Sequence, residues 1–581
     1  MTPTPVQGDR RERLVTRALP LLGVALVAFI AGAVFGGRDD TAAAERFATA
    51  WERGDYAAMY DQLSPGSADE YPQARFEGAY EKAAVTTTQK SLDTGEVRAG
   101  ETKDGEDAAV VPMSMETNAF GHLSGDVVLP LSDGRVDWAP NLVYPGLHED
   151  EHLSRRTTTP ERAPILAANG TPLAKGPAYA RYSPLGTAAT SVAGTVGSPK
   201  GKAKAALAAR GFPAGSLTGL SGLELAFEDR LAGHPGGQLL AVTPGAGGPR
   251  ALASTEPRRG MPVNTTIDPD LQQAAVTALG ATYGGVAVLD AQNGDVLALA
   301  GIALSAPQPP GSTFKILTTT AALDAGVVKL NDTFPIATSA TVDGREVANA
   351  NNEACGGTFV EAFAESCNSV FVPLGPKIGE EGMVSTAESY GFNSPPGLYD
   401  GAALKATDVP SSTIPKSIPT DLDLGVSAIG QGEVLATPLE MASVAQTIAN
   451  GGKRSPTSIV SDRNLESDTK AVRVTSEKTA NTIRGLMIRV VTEGTGTAAA
   501  LATYQVAGKT GTAELGPKPL EPGAEPEPGE QPPQEVDAWF TSFAPASDPK
   551  VVVAVMVVNA DGSGGEIAAP IAHSVLSAAL E

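Results

Sequence analysis

Pro310-Gly311-Ser312-Thr313-Phe314-Lys315 is the stretch on which the reading of this chain turns. Pro309, Pro310 and Gly311 stop the preceding structure, and from Ser312 onward Phe314, Ile316, Leu317, Ala321, Ala322 and Leu323 read as a helix. Three residues apart on a helix, Ser312 and Lys315 share one face. A serine in the first turn also lies where unpaired backbone N–H groups and the positive dipole end favour developing negative charge. Two more motifs come in order, Ser366-Cys367-Asn368 and Lys509-Thr510-Gly511-Thr512. The five histidines are His122, His148, His152, His234 and His573, so the stretch holding the three motifs has none. A serine nucleophile there needs a different base. Lys315 can serve only if neutral, and both desolvation in an apolar-walled cleft and a second cation such as Lys509 lower a lysine pKa.

The spacing alone is weak, because Ser467-Asp468-Thr469-Lys470 repeats it in a polar segment that reads as a solvated loop. Lys478-Thr479-Ala480 likewise reads as an exposed helix start. Three motifs in order carry the argument.

Composition bounds the rest. The 581 residues suffice for about three to five domains. Hydrophobic residues make up 42%, enough for globular cores, and a formal charge of -23 argues against a nucleic-acid partner. Ala18 to Gly37 is an uncharged apolar run of bilayer-crossing length, preceded by Arg10, Arg11, Arg13 and Arg17 and followed, after Arg38, by Asp39 and Asp40. It reads as a membrane span at 18–37 with a cytoplasmic tail at 1–17 and everything later outside. A cleaved signal peptide ending near Ala31-Gly32-Ala33 is the competing reading. No cysteine precedes Cys355, which argues against a lipoprotein. Cys355 and Cys367 stand as either a disulfide or a pair of buried thiols.

Along the chain, Ala44, Phe47, Ala48, Trp51, Tyr56, Met59 and Tyr60 predict two short amphipathic helices. Runs such as Ala108 to Val111 and Asp126 to Leu129, with turns at Asp133-Gly134, predict an antiparallel meander, so 41–146 reads as a small α+β domain. Residues 150–258, rich in Gly, Pro and Ala, read as an extended linker domain. From 262 the pattern sharpens. Asp268-Pro269 starts a helix. Val286–Leu289 and Val296–Leu299 flank Asn293-Gly294, which predicts a hairpin with a tight primed turn. Val551 to Val558 predicts a strand buried on both faces, neighbouring the early strands. Residues 516–534, rich in Pro, Glu and Gly, read as a mobile surface loop.

The ordered combination of Ser-x-x-Lys, Ser-x-Asn and Lys-Thr-Gly belongs to penicillin-interacting serine enzymes. With Gly430-Gln431-Gly432, Thr437-Pro438-Leu439, Trp539-Phe540 and Ala544-Pro545, the region 262–581 resembles the transpeptidase domain of a class B penicillin-binding protein. Arg162 to Gly170 and Ser221-Gly222-Leu223-Glu224 resemble its linker or dimerisation-type domain, and 41–146 is similar to the N-terminal module of methicillin-resistance-type members. The resemblance implies a multidomain α+β protein: a transmembrane helix, a cone-shaped domain like nuclear transport factor two, a linker domain, and an antiparallel five-stranded sheet flanked by helices. It implies that Ser312 attacks the penultimate D-Ala carbonyl of a stem peptide and that Lys315 takes its proton. Ser366 and Asn368 would relay protons and orient substrate, and Lys509 would steer the terminal carboxylate. Thr510, Gly511 and Thr512 would lie along the substrate backbone, Gly511 allowing close approach, with the N–H groups of Ser312 and Thr512 as oxyanion hole. β-Lactams would trap Ser312. No metal or organic cofactor is implied; the partners are stem peptides, β-lactams, the membrane, and division or elongation complex proteins.

Three departures stand out: a short connection between hairpin and Ser312, Cys367 inside the second motif, and the acidic stretch after the third. A glycosyltransferase module does not fit in 41–146, and no carboxylate suggests itself for β-lactamase deacylation. A D,D-carboxypeptidase and a non-catalytic β-lactam sensor or divisome scaffold remain as alternatives.

Overall fold

The computed structural model describes residues 41–517 and 534–581, apart from Ala246. The apolar run 18–37 and nearly all of 516–534 lie outside the described residues. The strands flanking the latter reach Pro517 and resume at Gln534, so its ends are sheet rather than loop. Among the described residues no helix is long and apolar enough to cross a membrane.

The chain divides into two units. The first holds most of residues 41–145. The two expected helices are Ala42–Glu52 and Tyr56–Tyr60, and a third, Pro65–Glu70, comes after them. That third helix lacks an apolar stripe and starts on local chemistry: Ser64 accepts from Ser67 N–H and Pro65 occupies the first turn. Phe47, Phe76 and Trp138 stack edge to face at its core, with Phe76 and Trp138 4.8 Å apart. Arg98 pairs with Val110 and Leu131 with Val136 in antiparallel ladders, as the alternating pattern predicts.

In the second unit, 150–258 is more structured than its composition suggests. Gly236–Val242 pairs on one side with His152–Thr158 and on the other with Arg250–Thr255. Beside this sheet, Arg162 Nη2 lies 2.6 Å from Glu224 Oε2 and 2.8 Å from Glu228 Oε2, while Arg181 Nε reaches Glu224 Oε1 at 2.6 Å. Arg162 and Glu224 are buried, so each ion's desolvation is offset by its partners. The segment is also pinned to the helix Pro269–Leu279 and the strand Val296–Gly301. The buried Gln272 amide donates to Ala188 O and Leu299 O and accepts from Leu299 N–H.

The catalytic-region sheet has the strand order Val296–Gly301, Gly284–Asp290, Val551–Ala560, Gln534–Ala544, Ala507–Pro517, all antiparallel. Early and late strands are neighbours, as expected, and Val551–Val557 is buried throughout. One face packs on Pro269–Leu279 and Ala569–Leu580, the other on Pro438–Ala449, whose every residue is buried. That helix has no polar face because it lies inside the domain. Thr437 Oγ1 caps it by accepting from Glu440 N–H.

The hairpin forms, but not on a two-residue primed turn. Only Gly294 has positive φ, at 82°, and the connection is a longer loop closed by Asp290 Oδ1, which accepts from Gln292 and Asn293 N–H. The register shifts between Val288 and Leu289. The aspartate offers the backbone local acceptors that the dipeptide rule does not include.

Candidate active site

Ser312 lies in a short 3-10 turn, Gly311–Phe314, that leads into the helix Lys315–Asp324. Gly311 has φ 52°, and a Cβ there would meet Thr512 O at 2.9 Å, so the turn is pressed against the edge strand. Gly430 O accepts from Gly311 N–H, and a Cβ on Gly430 would lie 2.3 Å from Gly311 O. The Gly430-Gln431-Gly432 loop thus braces the serine turn from behind. A Cβ on Gly511 would come within 2.6 Å of Pro310 O. The close approach that this glycine permits here is to the serine turn, where the resemblance led us to expect the substrate backbone.

The helix carries Lys315 into the interior, fully buried. Its Nζ donates to Ser366 O and to Asn368 Oδ1, both at 2.7 Å, with Ser366 Oγ at 3.4 Å. Lys509 is buried as completely and donates to Ser366 Oγ at 2.8 Å and to Thr510 O at 3.0 Å. Phe371 lies under the Lys315 amine and Phe363 under that of Lys509. Burial pushes Lys315 well below the ordinary lysine range and the neighbouring Lys509 charge adds to this; burial pushes Lys509 down to about 7. Both perturbing causes expected from sequence are therefore present. Ser312 is half-buried, and its hydroxyl makes no hydrogen bond to Lys315 or to any other described residue. Nor does a backbone carbonyl among the described residues accept from its N–H.

Ser366 sits in the left-handed region, φ 63°, after the helix Phe359–Ala364. A non-glycine residue there costs energy that the surroundings must hold, and such strain clusters at functional sites. The holding contacts are visible. Cys367 N–H donates to Ala362 O, and Cys367 is bonded to Cys355. Asn368 Nδ2 donates to Ala348 O, and Ser369 N–H to Asn349 Oδ1. Asn349, itself buried, donates to Ala337 O and Glu353 O. No motif marked Asn349 in the sequence.

Thr510 and Thr512 turn to the other face of the edge strand. Thr512 Oγ1 accepts from Gly564 N–H, and Thr510 Oγ1 lies 2.5 Å from Thr495 Oγ1. Sequence reasoning missed Thr495. Its signal was the flanking pair Gly494 and Gly496: a Cβ on Gly494 would lie 2.3 Å from Ala364 O, and one on Gly496 3.0 Å from the Phe540 ring. The near-miss motifs stay apart from this site. Ser476 caps the helix Glu477–Thr492 by accepting from Thr479 N–H, and Ser467 bonds locally to Thr469.

Three motifs distant in sequence thus share one hydroxyl and two buried amines, the arrangement of a serine acyltransferase without histidine. Comparison with known proteins agrees. Residues 284–577 match the penicillin binding protein transpeptidase domain, 173–265 the penicillin-binding protein dimerisation domain, and 40–151 the NTF2-like N-terminal transpeptidase domain. The chain belongs to the penicillin-binding protein transpeptidase family, with the domain set of its class B members. It is 33% identical over 383 residues to the peptidoglycan D,D-transpeptidase PbpA of Mycolicibacterium smegmatis, covering 55% of this chain and 73% of that protein. The Mycobacterium tuberculosis H37Rv counterpart is 33% identical over 385 residues, covering 56% and 73%. The solved ceftriaxone acyl-enzyme complex of penicillin-binding protein A from M. tuberculosis superposes with a TM-score of 0.56 at 27% identity, covering 73% of this chain and 99% of that one.

Proposed function

We propose that this chain crosslinks peptidoglycan as a serine D,D-transpeptidase, through an acyl-enzyme on Ser312 that β-lactams also form. The observation that carries the reading is the meeting of two fully buried lysine amines on the Ser366 hydroxyl, one of them a helical turn along from Ser312. The Mycolicibacterium smegmatis and Mycobacterium tuberculosis relatives are peptidoglycan D,D-transpeptidases, and the solved neighbour is an acyl-enzyme.

The hydrogen-bond inventory assigns the roles. A neutral Lys315 has two N–H groups and one lone pair. Ser366 O and Asn368 Oδ1 take the two N–H groups, which leaves the lone pair for a hydroxyl proton. Ser312 Oγ attacks the carbonyl of the penultimate D-Ala as its proton passes to Lys315. The tetrahedral oxyanion is received by the N–H groups of Ser312 and Thr512, each such donor typically worth about 3 kcal/mol. When the C–N bond breaks, Lys315 returns the proton to the departing D-Ala amine by way of Ser366, whose oxygen Lys509 holds as acceptor. An amine from a second stem peptide then attacks the ester and Lys315 takes its proton. As the acyl–Ser312 bond breaks, Lys315 passes that proton to Ser312 Oγ, which restores the free serine and the neutral base. Edge-strand backbone beyond Lys509 offers the donor peptide a ladder, and the Lys509 charge steers its carboxylate.

The apolar run 18–37 with its preceding arginines supports a single-pass membrane protein whose catalytic domain faces outward. The Cys355–Cys367 disulfide suits an oxidising compartment. Labelling with a fluorescent penicillin tests the nucleophile: wild type labels and Ser312→Ala does not, and persistent labelling of the variant overturns the assignment. Lipid-linked precursor with an amine acceptor tests the reaction. Crosslinked dimer is expected, whereas free D-Ala with trimmed monomer alone would favour a carboxypeptidase.

A further inference from the structure

We propose that Asn349 is a positioning residue for acyl transfer: it pins the Ala348 carbonyl against Asn368, which holds the Asn368 amide oxygen toward Lys315 and keeps the lysine lone pair for Ser312. The inference rests on the transpeptidase reading, in which Lys315 is the base. Asn349 comes directly after a hairpin whose second strand, Arg345–Ala348, pairs with Ser339–Val342. It is buried, and both ends of its amide are used. Oδ1 accepts from Ser369 N–H at 2.7 Å, and Nδ2 donates to Ala337 O and Glu353 O, both at 2.8 Å. Its own N–H donates to Thr338 O at 2.8 Å. Ser369 lies in the first turn of the helix Asn368–Phe371, whose N-cap, Cys367, makes no side-chain cap bond, its sulfur being joined to Cys355. Asn349 supplies that missing acceptor from 20 residues earlier, so the root of the hairpin is fixed to the second motif.

The consequence is a choice of amide orientation. Asn368 stands between the Ala348 carbonyl, 2.9 Å from its Nδ2, and the Lys315 amine, 2.7 Å from its Oδ1. A carbonyl oxygen only accepts, so Ala348 O claims the amide's N–H end and Oδ1 is left for the lysine. Toward Oδ1 the lysine must donate. An Asn368 amide turned end for end would present an N–H to Lys315 and occupy the lone pair that the Ser312 proton needs. Ser366 O does not make this choice, because it accepts a lysine N–H in either case. Ala348 O does, and Asn349 keeps it within reach.

The test is acylation of the full chain by a fluorescent penicillin across pH, with rates read on the fraction that labels at saturation, so that unfolded protein does not count. Asn349→Ala is expected to lower the limiting acylation rate about tenfold, the equivalent of one hydrogen bond, with apparent binding unchanged. Its acid limb should also move to lower pH, because an amide free to turn stabilises neutral Lys315. Among the described residues the charged group bearing on Lys315 is Lys509, from the edge strand, and the substitution leaves it in place. Asn349→Ser, which keeps a hydroxyl as acceptor, should show both changes in smaller measure. In an Asn368→Ala background, Asn349→Ala should add nothing. An acid limb that moves upward means that water reaches Lys315, which makes the role structural. That result, an unchanged limiting rate, or an additive loss in the double variant overturns the inference. Ser312→Ala run in parallel separates this failure from failure of the nucleophile assignment.

Discussion

Replacing Lys509 by methionine should move the pH at which acylation switches on. The amines of Lys315 and Lys509 lie 3.4 and 2.8 Å from one Ser366 oxygen. They are therefore at most about 6 Å apart, and at an effective dielectric of about 20 two unit charges at that distance repel by about 3 kcal/mol, or about two pH units on the lysine pKa. Burial already holds Lys509 itself near 7, so its charge is partial where the reaction runs and the effect shrinks to about one unit. Without Lys509, Lys315 keeps its desolvation but loses the repulsion, its pKa rises, and the neutral base appears at higher pH. The acid limb of the rate of fluorescent-penicillin acylation, followed across pH, should shift upward by about one unit in Lys509→Met and downward in Lys509→Arg, whose guanidinium stays fully charged. The overall rate also falls through lost carboxylate steering, so the limb's position is the diagnostic quantity. An acid limb that does not move in Lys509→Met would falsify the claim that this charge tunes Lys315.

Stability should carry the same signature. Lys509 binds a proton in the unfolded chain up to pH 10.5 but only to about 7 in the folded one. Between those values the unfolded state holds the extra proton, so unfolding free energy rises with pH, by up to about 1.4 kcal/mol per unit. Denaturant midpoints at about pH 7 and about pH 9.5 should differ accordingly in wild type and less in Lys509→Met. Arg162→Ala leaves Glu224 buried with Arg181 as its remaining partner and should destabilise the protein by about 3 to 5 kcal/mol, read as a lowered thermal midpoint. The disulfide closes a loop with a sequence separation of 12. Cys355→Ser with Cys367→Ser should cost about 2 to 3 kcal/mol in denaturant unfolding, and equal midpoints would rule out a stabilising role.

The legible parts of the fold are those written in local pattern. Val551 to Val558 reads as buried strand because every side chain is apolar, and Asp268-Pro269 reads as a helix start because one residue caps and the next cannot donate; the structure has both. The hairpin pairing was legible but its turn was not, since Asp290 closes the loop through bonds outside the dipeptide rule. The region 150–258 looked like a linker because its strands are short and Gly- and Pro-rich, and what orders it, the Arg162, Arg181, Glu224 and Glu228 cluster, joins residues far apart in sequence.

The site divides in the same way. Sequence alone determined which groups are available: a serine, two lysines and an asparagine in three ordered motifs, with no imidazole near them, so the chemistry had to be lysine-assisted acyl transfer. Those are facts of residue identity and spacing. Only tertiary structure decided that both lysines are buried on one hydroxyl, that Cys355 and Cys367 are bonded, that the Gly511 cleft receives the serine turn, and that Thr495 stands beside Thr510. The reason is physical. A lysine's pKa and a hydroxyl's proton direction depend on solvent exclusion and on partners across the fold, and neither is a property of the residue or of its neighbours in the chain.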